Sequence, residues 1–278
     1  MSSLTPLVSV CIPTYRGGAY LAAAIESVLK QSLTDLELIV VDDQSPDDTE
    51  AIVRGFDDPR LRYVRNERNL GPQGNWNRCL ELATGKYFKL LPHDDLLHED
   101  CLERQVAALQ ADRAERLALV FSSRNVLGPE GQKLTWRGYA GQRSDAVLHN
   151  KDLVRACIRG GTNLIGEPGA VLFRLALAQR TGPFDASNPY VIDLDYWFRL
   201  LAHGDAYYLA APLASFRVSR QQWSVELGRS QAADFMAFVQ RISAQLPVRP
   251  SRPDLLSARI MATVNNLARR VFYSVYLR

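Results

Sequence analysis

The stretch KYFKLLPHDDLL, residues 86–97, decides how this sequence folds. Its apolar run at residues 87–91 indicates a buried strand, which a proline and a histidine bring to an end. Two adjacent aspartates, Asp94 and Asp95, follow. Two carboxylates at the end of a buried strand are costly unless a cation binds them, and their hard oxygen atoms suit Mg²⁺ or Mn²⁺. The alternative is that both aspartates form a turn or cap a helix.

Three further strands precede this one, and a helical segment separates each strand from the next. The predicted strands cover residues 7–12, 36–41, 60–64 and 87–91. The predicted helices cover residues 19–31, 45–55 and 75–84. Strands that alternate with helices in this way predict an α/β fold, in which helices pack against a parallel sheet.

Polar residues follow three of these strands, at the ends where parallel sheets bind ligands. They are Pro13, Thr14 and Tyr15 after the first strand, Asp42 and Asp43 after the second, and the acidic pair after the fourth. The sequence has no G-x-G-x-x-G after the first strand and no G-x-x-x-x-G-K-[ST], which disfavours a dinucleotide-binding domain and a P-loop protein. The sequence therefore predicts a pocket with several carboxylates and a metal ion.

Three segments in this order resemble the start of a family 2 glycosyltransferase of the GT-A type: VSVCIPTYRGG (8–18), LELIVVDDQSPDDT (36–49) and NLGPQGNWNRCLELATGKYFKLLPHDD (69–95). The resemblance is close over residues 7–97 and looser over residues 165–225. It implies a GT-A fold, which is Rossmann-like, with a mostly parallel central sheet flanked by helices.

The same resemblance implies the reaction. A sugar moves from a nucleotide-diphosphate donor, such as a UDP-sugar, to a hydroxyl of a glycan or lipid-linked acceptor, with inversion and with Mg²⁺ or Mn²⁺ as cofactor. We expect a role in cell-envelope polysaccharide synthesis. Residues 1–124 are expected to form the nucleotide-sugar-binding half and residues 125–224 the acceptor-binding and catalytic half of one domain, and residues 225–278 a helical extension.

The resemblance also assigns residues to the donor. Pro13, Thr14 and Tyr15 are expected to line the nucleotide pocket, and Asp42 or Asp43 to hydrogen-bond the base.

The acidic pair is expected to bind the diphosphate through a metal ion. Asp95 is implied as the ligand of the metal that bridges the two phosphates, and Asp94 as a contact of the ribose or the metal. The sequence departs from the family at Pro92, where many relatives carry an acidic residue, so Asp95 is the safer ligand. His93 is either a further ligand or a solvated side chain.

A loop after residue 216 is expected to close over the diphosphate, with Arg217, Arg220 and Trp223 as its contacts, although Arg217 has a structural ion pair as its alternative. Ser219 stands where the family often has a metal-binding histidine.

The stretch VIDLDYWFRLL, residues 191–201, resembles the family's acidic motif, with Ile192 in place of its usual glutamate. Asp193 aligns with the general base, the carboxylate that takes the proton of the attacking acceptor hydroxyl. The alternative is that Asp193 caps the helix. Asp195 and Arg199 have the spacing of a local ion pair, and Trp197 is expected in the core.

The middle of the sequence carries no motif with an interpretable chemistry. Residues 118–121 indicate a strand, and residues 134–150 indicate a polar loop. Glu167 precedes an apolar run, where it faces either the sugar or water. Arg174 and Arg180 are expected at the surface.

The C-terminal part is basic. Residues 221–278 carry a net charge of +5, and the rest of the chain carries −2. Apolar residues recur there at helical spacing: Leu256, Ile260, Val264, Leu267, Val271 and Val275. This apolar stripe fits three partners, which are the body of the protein, a second copy in a homodimer, or an anionic membrane surface. Packing on the body or a second copy is the plainer interpretation.

Composition narrows the class of protein and its compartment. The sequence lacks a basic leader with a long apolar region, and no apolar run approaches the length that spans a bilayer. Four scattered cysteines indicate reduced, buried thiols rather than a zinc site. We therefore expect a cytoplasmic protein, with peripheral contact at the inner face of the membrane left open. No nucleic-acid motif is present, so nucleic acid is not expected as a partner.

Two other functions remain open. A sugar nucleotidyltransferase usually carries a lysine in the loop after its first strand, which PTYRGG lacks. A catalytically inactive nucleotide-sugar-binding or scaffold subunit fits the departures at Pro92 and Ser219, whereas the presence of Asp95 and Asp193 argues against it.

Overall fold

The computed structural model describes residues 5–139, 141–218 and 231–276. Within these ranges the strands are β1 (Val8–Thr14), β2 (Leu36–Asp42), β3 (Leu61–Arg65), β4 (Tyr87–Leu90), β5 (Leu96–Leu97), β6 (Leu117–Leu127), β7 (Lys133–Arg137), β8 (Ala146–Leu148), β9 (Val171–Arg174) and β10 (Asp205–Arg217). The helices are α1 (Leu21–Leu29), α2 (Thr49–Arg54), α3 (Gly71–Leu82), α4 (Cys101–Ala111), α5 (Asn150–Gly160), α6 (Leu175–Thr181), α7 (Ile192–Leu201), α8 (Gln231–Ile242) and α9 (Arg252–Tyr276). Two short 3₁₀ helices span Pro168–Ala170 and Pro189–Val191.

All the described strands belong to one sheet, in the order β3-β2-β1-β4-β9-β6-β10-β5, with β7 beside β6 and β8 beside β10. The pairs β1–β2, β1–β4, β2–β3 and β6–β10 are parallel. Strand β9 lies antiparallel between β4 and β6 and joins the two parallel parts. The predicted sheet, mostly parallel and flanked by helices, is therefore confirmed.

The first four strands form because both faces of the sheet are covered, which favours continuous apolar runs. Alternate residues of β1 face opposite sides. Val10 packs with Leu21 and Ile25 of α1 on one face, and Cys11 packs with Cys79 of α3 on the other. All four cysteines of the chain are buried and free, as expected.

The predicted polar loop at residues 134–150 is wrong. Strands β7 and β8 lie in this segment, and β6 continues past the predicted end of its strand to Leu127. The residues of β7 are mostly exposed and pair with only one neighbour, so their sequence lacks the apolar alternation that marks a strand.

Arg174 is buried, contrary to expectation. It can be buried because its guanidinium group forms hydrogen bonds inside the protein. Its guanidinium donates to the carbonyl oxygens of Leu117 at 2.8 Å and Leu109 at 3.1 Å. Arg180 is exposed, as expected.

The C-terminal helix α9 packs against α5 and α8, which confirms a helical extension. The apolar stripe does not pack on the body, contrary to that expectation: Leu256 is 62% exposed and Leu267 is 63% exposed. None of the helices in the described ranges has the length and apolar character needed to cross a bilayer.

Candidate active site

The carboxyl ends of β1, β2 and β4 meet at one edge of the sheet. Thr14 lies beside Asp42 in the register of β1 and β2. Asp43 N–H then donates to the Thr14 carbonyl at 2.9 Å, and Leu91 N–H donates to the Cys11 carbonyl at 2.9 Å. The three polar clusters predicted from the sequence therefore leave the sheet side by side.

The segment after β1 leaves one buried polar atom without a partner. Pro13 and Thr14 are buried, whereas Tyr15 is 43% exposed. Thr14 Oγ1 has no hydrogen-bond partner among the described residues. A methyl group on Gly17 would lie 2.2 Å from this oxygen and 3.5 Å from the His93 ring, so the glycine keeps the loop close to both. A buried hydroxyl without a partner is a candidate for a ligand contact.

Asp42 is buried, and the protein supplies a donor to each of its carboxylate oxygens. Ser45 N–H donates to Oδ1 at 2.9 Å, and the Tyr63 hydroxyl donates to Oδ2 at 2.6 Å. The Arg65 guanidinium is a third partner, with its Nε 3.7 Å from Oδ2, so the protein holds both oxygens of this carboxylate.

Asp43 is buried at the start of the segment that leads to α3. Its carboxylate accepts hydrogen bonds from Leu70 N–H at 2.8 Å, Gly71 N–H at 2.9 Å and Asn66 Nδ2 at 2.8 Å. The main role of this side chain in the structure is therefore to hold the loop 66–71 against the sheet.

Asp95 is buried in the turn after β4, and the backbone of β10 holds it. Arg217 N–H donates to Asp95 Oδ1 at 3.0 Å, and Arg217 Nε donates to the Asp94 carbonyl at 3.1 Å. The Arg217 guanidinium also donates to the Gly128 and Pro129 carbonyls. The contacts of Arg217 therefore position the acidic pair, and its contact with a diphosphate stays a prediction.

Asp95, Glu167 and Arg124 line one narrow gap between β4, β6 and the loop 163–169. Arg124 Nε and Glu167 Oε2 form an ion pair at 2.5 Å. The loop before Glu167 approaches Arg124 closely: Gly166 has φ +119°, and a methyl group there would lie 3.1 Å from the guanidinium. Glycine is needed at this position for both reasons. Glu167 therefore faces a buried arginine, an alternative that the sequence did not suggest.

Asp193 lies in the first turn of α7 and not at its N-cap, which is Val191. Leu194 N–H donates to Asp193 Oδ1 at 2.7 Å, and Asn163 Nδ2 donates to Oδ2 at 2.9 Å. The other end of Asn163 accepts from the Gly166 N–H at 2.9 Å. Asn163 thus links Asp193 to the loop that carries Glu167.

The charges of these carboxylates act on one another. Burial, the Asp94 charge and the Glu167 charge raise the pKa of Asp95 well above its usual range. Burial and the Glu167 charge raise the pKa of Asp193 to about 7. Burial opposes ionisation of Glu167 as well, but the charges of Arg124 and Arg137 and the hydrogen bonds to the carboxylate together outweigh it, and the pKa of Glu167 is lowered. Glu167 is therefore the ionised group that acts on both Asp95 and Asp193.

The donors for a metal ion are few. Among the described residues, no group of three acidic, histidine or cysteine side chains is arranged to hold a metal. The adjacent carboxylates Asp94 and Asp95 offer two ligands, and the raised pKa of Asp95 shows that its negative charge lacks full compensation. This set fits Mg²⁺ or Mn²⁺ bound by one or two carboxylates, with phosphate oxygens and water as the other ligands.

Other predicted residues fall in three groups. Trp197 is buried in the core, where its Nε1 donates to the Gly166 carbonyl at 3.0 Å, and Asp195 pairs with Arg199 at 2.8 Å, as expected. Arg217 lies at the acidic pair. Ser219, Arg220 and Trp223 lie outside the described residues.

Sequence reasoning missed Arg124, Asn163 and Lys89. Lys89 is fully buried in β4, and its Nζ donates to the carbonyls of Gly169 at 2.8 Å and Val171 at 3.1 Å. It therefore fixes the 3₁₀ helix beside Asp95. A lysine inside an otherwise apolar strand is the one signal that the sequence offered for it.

Comparisons with known proteins identify relatives of this chain. A sequence model of glycosyl transferase family 2 matches residues 9–158. An uncharacterised protein of Mycobacterium tuberculosis is 32% identical over 90% of this chain and 78% of its own length. The putative teichuronic acid biosynthesis glycosyltransferase TuaG of Bacillus subtilis is 29% identical over 87% of this chain and 90% of its own length. A GalNAc(5)-diNAcBac-PP-undecaprenol beta-1,3-glucosyltransferase of Campylobacter jejuni is 34% identical over 56% of this chain and 50% of its own length.

Solved structures share the fold. TarS 1–349 of S. aureus in complex with UDP-GlcNAc has a TM-score of 0.68 at 18% identity, over 98% of this chain and 76% of that one. The mannosyltransferase PcManGT of Pyrobaculum calidifontis, in complex with GDP-Man and Mn²⁺, has a TM-score of 0.62 at 19% identity, over the same shares of the two chains. The fold is GT-A.

Proposed function

We propose, from the premise that this chain belongs to glycosyl transferase family 2, that it is an inverting transferase which moves a sugar from a nucleotide-diphosphate donor to an acceptor hydroxyl. One observation carries the proposal. Asp95 and Asp193 come from distant parts of the chain, and both contact the loop 163–169: Asn163 Nδ2 donates to Asp193 Oδ2 at 2.9 Å, and a methyl group on Gly169 would lie 3.8 Å from Asp95 Oδ2. The proposed metal ligand and the proposed base thus share one loop.

The donor nucleotide is assigned to the segments after β1 and β2. Thr14 offers a buried hydroxyl that has no partner in the described ranges of the chain, and Tyr15 offers an exposed ring beside it. Asp42 is proposed as the contact for a base N–H, because the Asp43 carboxylate is engaged by the loop 66–71. UDP-GlcNAc and GDP-Man in the related folds support a nucleotide-sugar of this kind.

The acidic pair is assigned to a divalent cation, with Asp95 as the ligand and Asp94 beside it. Such an ion, when bound, neutralises charge on the leaving diphosphate. The protein's own contribution is positional, because the Arg217 backbone and side chain fix both residues of the pair. The Mn²⁺ in the mannosyltransferase complex supports a metal of this class.

Asp193 is assigned the role of general base. As the acceptor oxygen bonds to the anomeric carbon, the bond from that carbon to the phosphate oxygen breaks, and the electron pair leaves with the nucleoside diphosphate. The proton of the acceptor hydroxyl moves to Asp193, and this single displacement inverts the sugar configuration. A carboxylate with a pKa of about 7 is well matched to proton transfer near neutral pH.

The acceptor is proposed to be a glycan or a lipid-linked glycan of cell-envelope polysaccharide synthesis. The names of two relatives support this class, since one refers to teichuronic acid and the other to a glycan on undecaprenol diphosphate.

A binding and turnover experiment tests the proposal. UDP and GDP are titrated by calorimetry with and without Mn²⁺, and nucleoside diphosphate release is then measured with a panel of UDP- and GDP-sugars. We expect cation-dependent binding and donor release in the wild type, and loss of the cation-dependent part in Asp95→Asn. Asp57→Asn, at an exposed loop aspartate, is the matched control and is expected to behave as wild type.

Three outcomes would contradict the proposal. Absence of nucleotide binding with either base would exclude a nucleotide-sugar site. Binding without any release of nucleoside diphosphate would favour an inactive binding subunit. Release of pyrophosphate from a sugar phosphate and a nucleoside triphosphate would favour a nucleotidyltransferase.

A further inference from the structure

We infer that α9 lies on an anionic membrane surface, with its apolar stripe facing the lipid. The stripe consists of Leu256, Ile260, Val264, Leu267, Val271 and Val275, each half exposed or more. At 1.5 Å per residue it is about 28 Å long, and at 100° per residue it covers about 100° of the helix. A continuous exposed apolar surface of this size marks an interaction site.

The apolar stripe of α9 faces away from the body of the protein. A helix of a globular protein normally turns its large apolar residues to the core. Here the fully buried residues of α9 are Asp254, Ala258 and Ala262, whereas the large aliphatic residues of the stripe lie in water. The outer face is therefore not accounted for by packing within the chain.

Small and polar contacts fix α9 in this orientation. Gly161, with φ +59°, follows α5, and a methyl group there would lie 2.3 Å from the Ala262 nitrogen. Asn265 Nδ2 donates to the Gly160 carbonyl at 2.7 Å. Asp254 lies 3.5 Å from Arg155 Nε and 3.8 Å from Arg159 Nε. A helix held by its backbone and small residues cannot rotate its stripe inward without losing these contacts.

The charges beside the stripe favour lipid over protein. Within the described part of α9, the exposed charged residues are Arg252, Arg259 and Arg270, and the acid, Asp254, is buried against α5. A basic flank beside an apolar face is typical of helices that lie on anionic membranes. Two copies packed stripe to stripe would bring these arginines together, without an exposed acid on α9 to pair with them.

The inner side of α9 reaches the candidate active site. The Arg269 guanidinium donates to the Tyr190 hydroxyl, three residues before Asp193. Phe272 and Tyr273 pack against Val126 and Val218, at the ends of the strands that also carry Arg124 and Arg217. The stripe lies on the opposite face of α9, so a membrane there would be one helix diameter, about 10–12 Å, from these contacts. A membrane at this distance specifies the acceptor as lipid-linked, and this consequence rests on the proposed function.

Vesicle co-sedimentation of the full chain tests the surface. We expect the wild type to sediment with vesicles of equal parts phosphatidylcholine and phosphatidylglycerol, and to bind phosphatidylcholine vesicles at least about tenfold more weakly. The double variant Val264→Glu/Leu267→Glu is expected to lose about a hundredfold in binding. Arg259→Gln/Arg270→Gln is expected to lose about tenfold on the anionic vesicles only.

Val147→Glu is the matched control, because Val147 is 55% exposed on β8 and Val264 is 50% exposed on the stripe. It is expected to bind as wild type. Equal loss in the control would show that any added negative charge is enough, and would overturn the assignment. Unchanged thermal unfolding verifies that each variant is folded.

Two further outcomes overturn the inference. One is a wild type that stays in the supernatant with both kinds of vesicle. The other is a wild-type protein that is dimeric in analytical ultracentrifugation, a Val264→Glu/Leu267→Glu variant that is monomeric, and no vesicle binding by either. That result would show that a second copy of the chain covers the stripe. Donor release is measured in parallel: vesicle binding without release refutes the proposed function alone, and release without vesicle binding refutes the membrane surface alone.

Discussion

The aspartates at the end of β2 are buried, and those beside the loop 163–169 are buried (Asp95) or partly buried (Asp193), but the two sets differ in their partners. Asp43 accepts three hydrogen bonds from the protein, two of them from backbone N–H groups. Asp95 accepts one from the Arg217 backbone, and nearby carboxylates oppose its ionisation. The first region is a framework that is complete in the free protein.

The second region carries charge that the protein does not fully compensate. The pKa of Asp193 is raised to about 7 by burial and by Glu167, although Asn163 and a backbone N–H stabilise its ionised form. Carboxylates with raised pKa values are typical of sites that bind cations or transfer protons. The difference indicates that Asp43 contributes to stability, whereas Asp95 and Asp193, the residues proposed for function, are buried or partly buried at a cost in stability.

The largest expected effect is on catalysis at the second region. Asp193→Asn keeps the shape of the side chain but removes the base, so sugar transfer should fall by about 10²–10⁴-fold. Nucleotide binding, measured by calorimetry, should change little, because the donor segments lie after β1 and β2. Turnover is measured as nucleoside diphosphate release in the presence of acceptor.

The neighbouring Asp195 provides the control. It is buried between Arg199 and Arg241, at 2.8 Å and 2.9 Å, so Asp195→Asn should lower the free energy of unfolding while its folded fraction keeps transfer activity. Equal turnover in wild type and Asp193→Asn would refute the assignment of Asp193 as the base. The contrast between a structural and a functional group of aspartates would then not hold.

The next effect is on stability at the first region. Asp43→Ala leaves the Leu70 N–H without its acceptor and removes one of two acceptors from the Gly71 N–H and the Asn66 amide, so it should lower the free energy of unfolding by about 1–3 kcal/mol. Asp57→Ala, at an exposed position, should change it by less than about 0.5 kcal/mol. Denaturant unfolding measures both, and an Asp43→Ala variant as stable as wild type would show that the loop 66–71 is held by other contacts.

The sequence predicted the parts of the fold whose signal is local. Strands β1 to β4 lie between helices on both faces, so their apolar runs were visible without any knowledge of the partner strands. Strand β7 was missed because its polar residues depend on pairing with β6. The outward orientation of α9 was missed because it depends on one close approach, between Gly161 and Ala262, which sequence spacing does not reveal.

The candidate site was predictable to a similar extent. Asp95 and Asp193 stand in short patterns of their own, so their roles were proposed from a resemblance. The ion pair of Glu167 with Arg124 joins residues far apart in the sequence. The contact of Asn163 with Asp193 likewise depends on how a loop folds back on α7. Such contacts appear only when the chain is folded, although they set the charge state of the residues that the sequence does indicate.

A further effect is expected on the pH dependence of the free energy of unfolding. Native Asp193 titrates near pH 7, and the unfolded side chain near pH 4, so between these values the native state binds more protons. The contribution of Asp193 to the free energy of unfolding is therefore highest below about pH 4, and it is lost as the pH rises through about 7. Asparagine does not ionise, so the free energy of unfolding of Asp193→Asn does not fall in this way. Relative to the wild type it should rise by about 1–3 kcal/mol as the pH is raised from 4 to 8. Denaturant unfolding across this range measures it, and parallel curves for the two proteins would contradict it.

The smallest effect is expected from Glu167→Gln, which tests the link between the two carboxylates. Removal of a negative charge beside Asp193 should lower the pKa of that base, so the rising limb of transfer activity against pH should move to lower pH by about one unit or less. The unpaired Arg124 guanidinium would move the limb in the same direction. Glu130→Gln, at an exposed turn, is the control and should leave the limb in place. A Glu167→Gln limb at the wild-type pH, with activity otherwise retained, would show that Glu167 only holds Arg124 and does not set the protonation of the base.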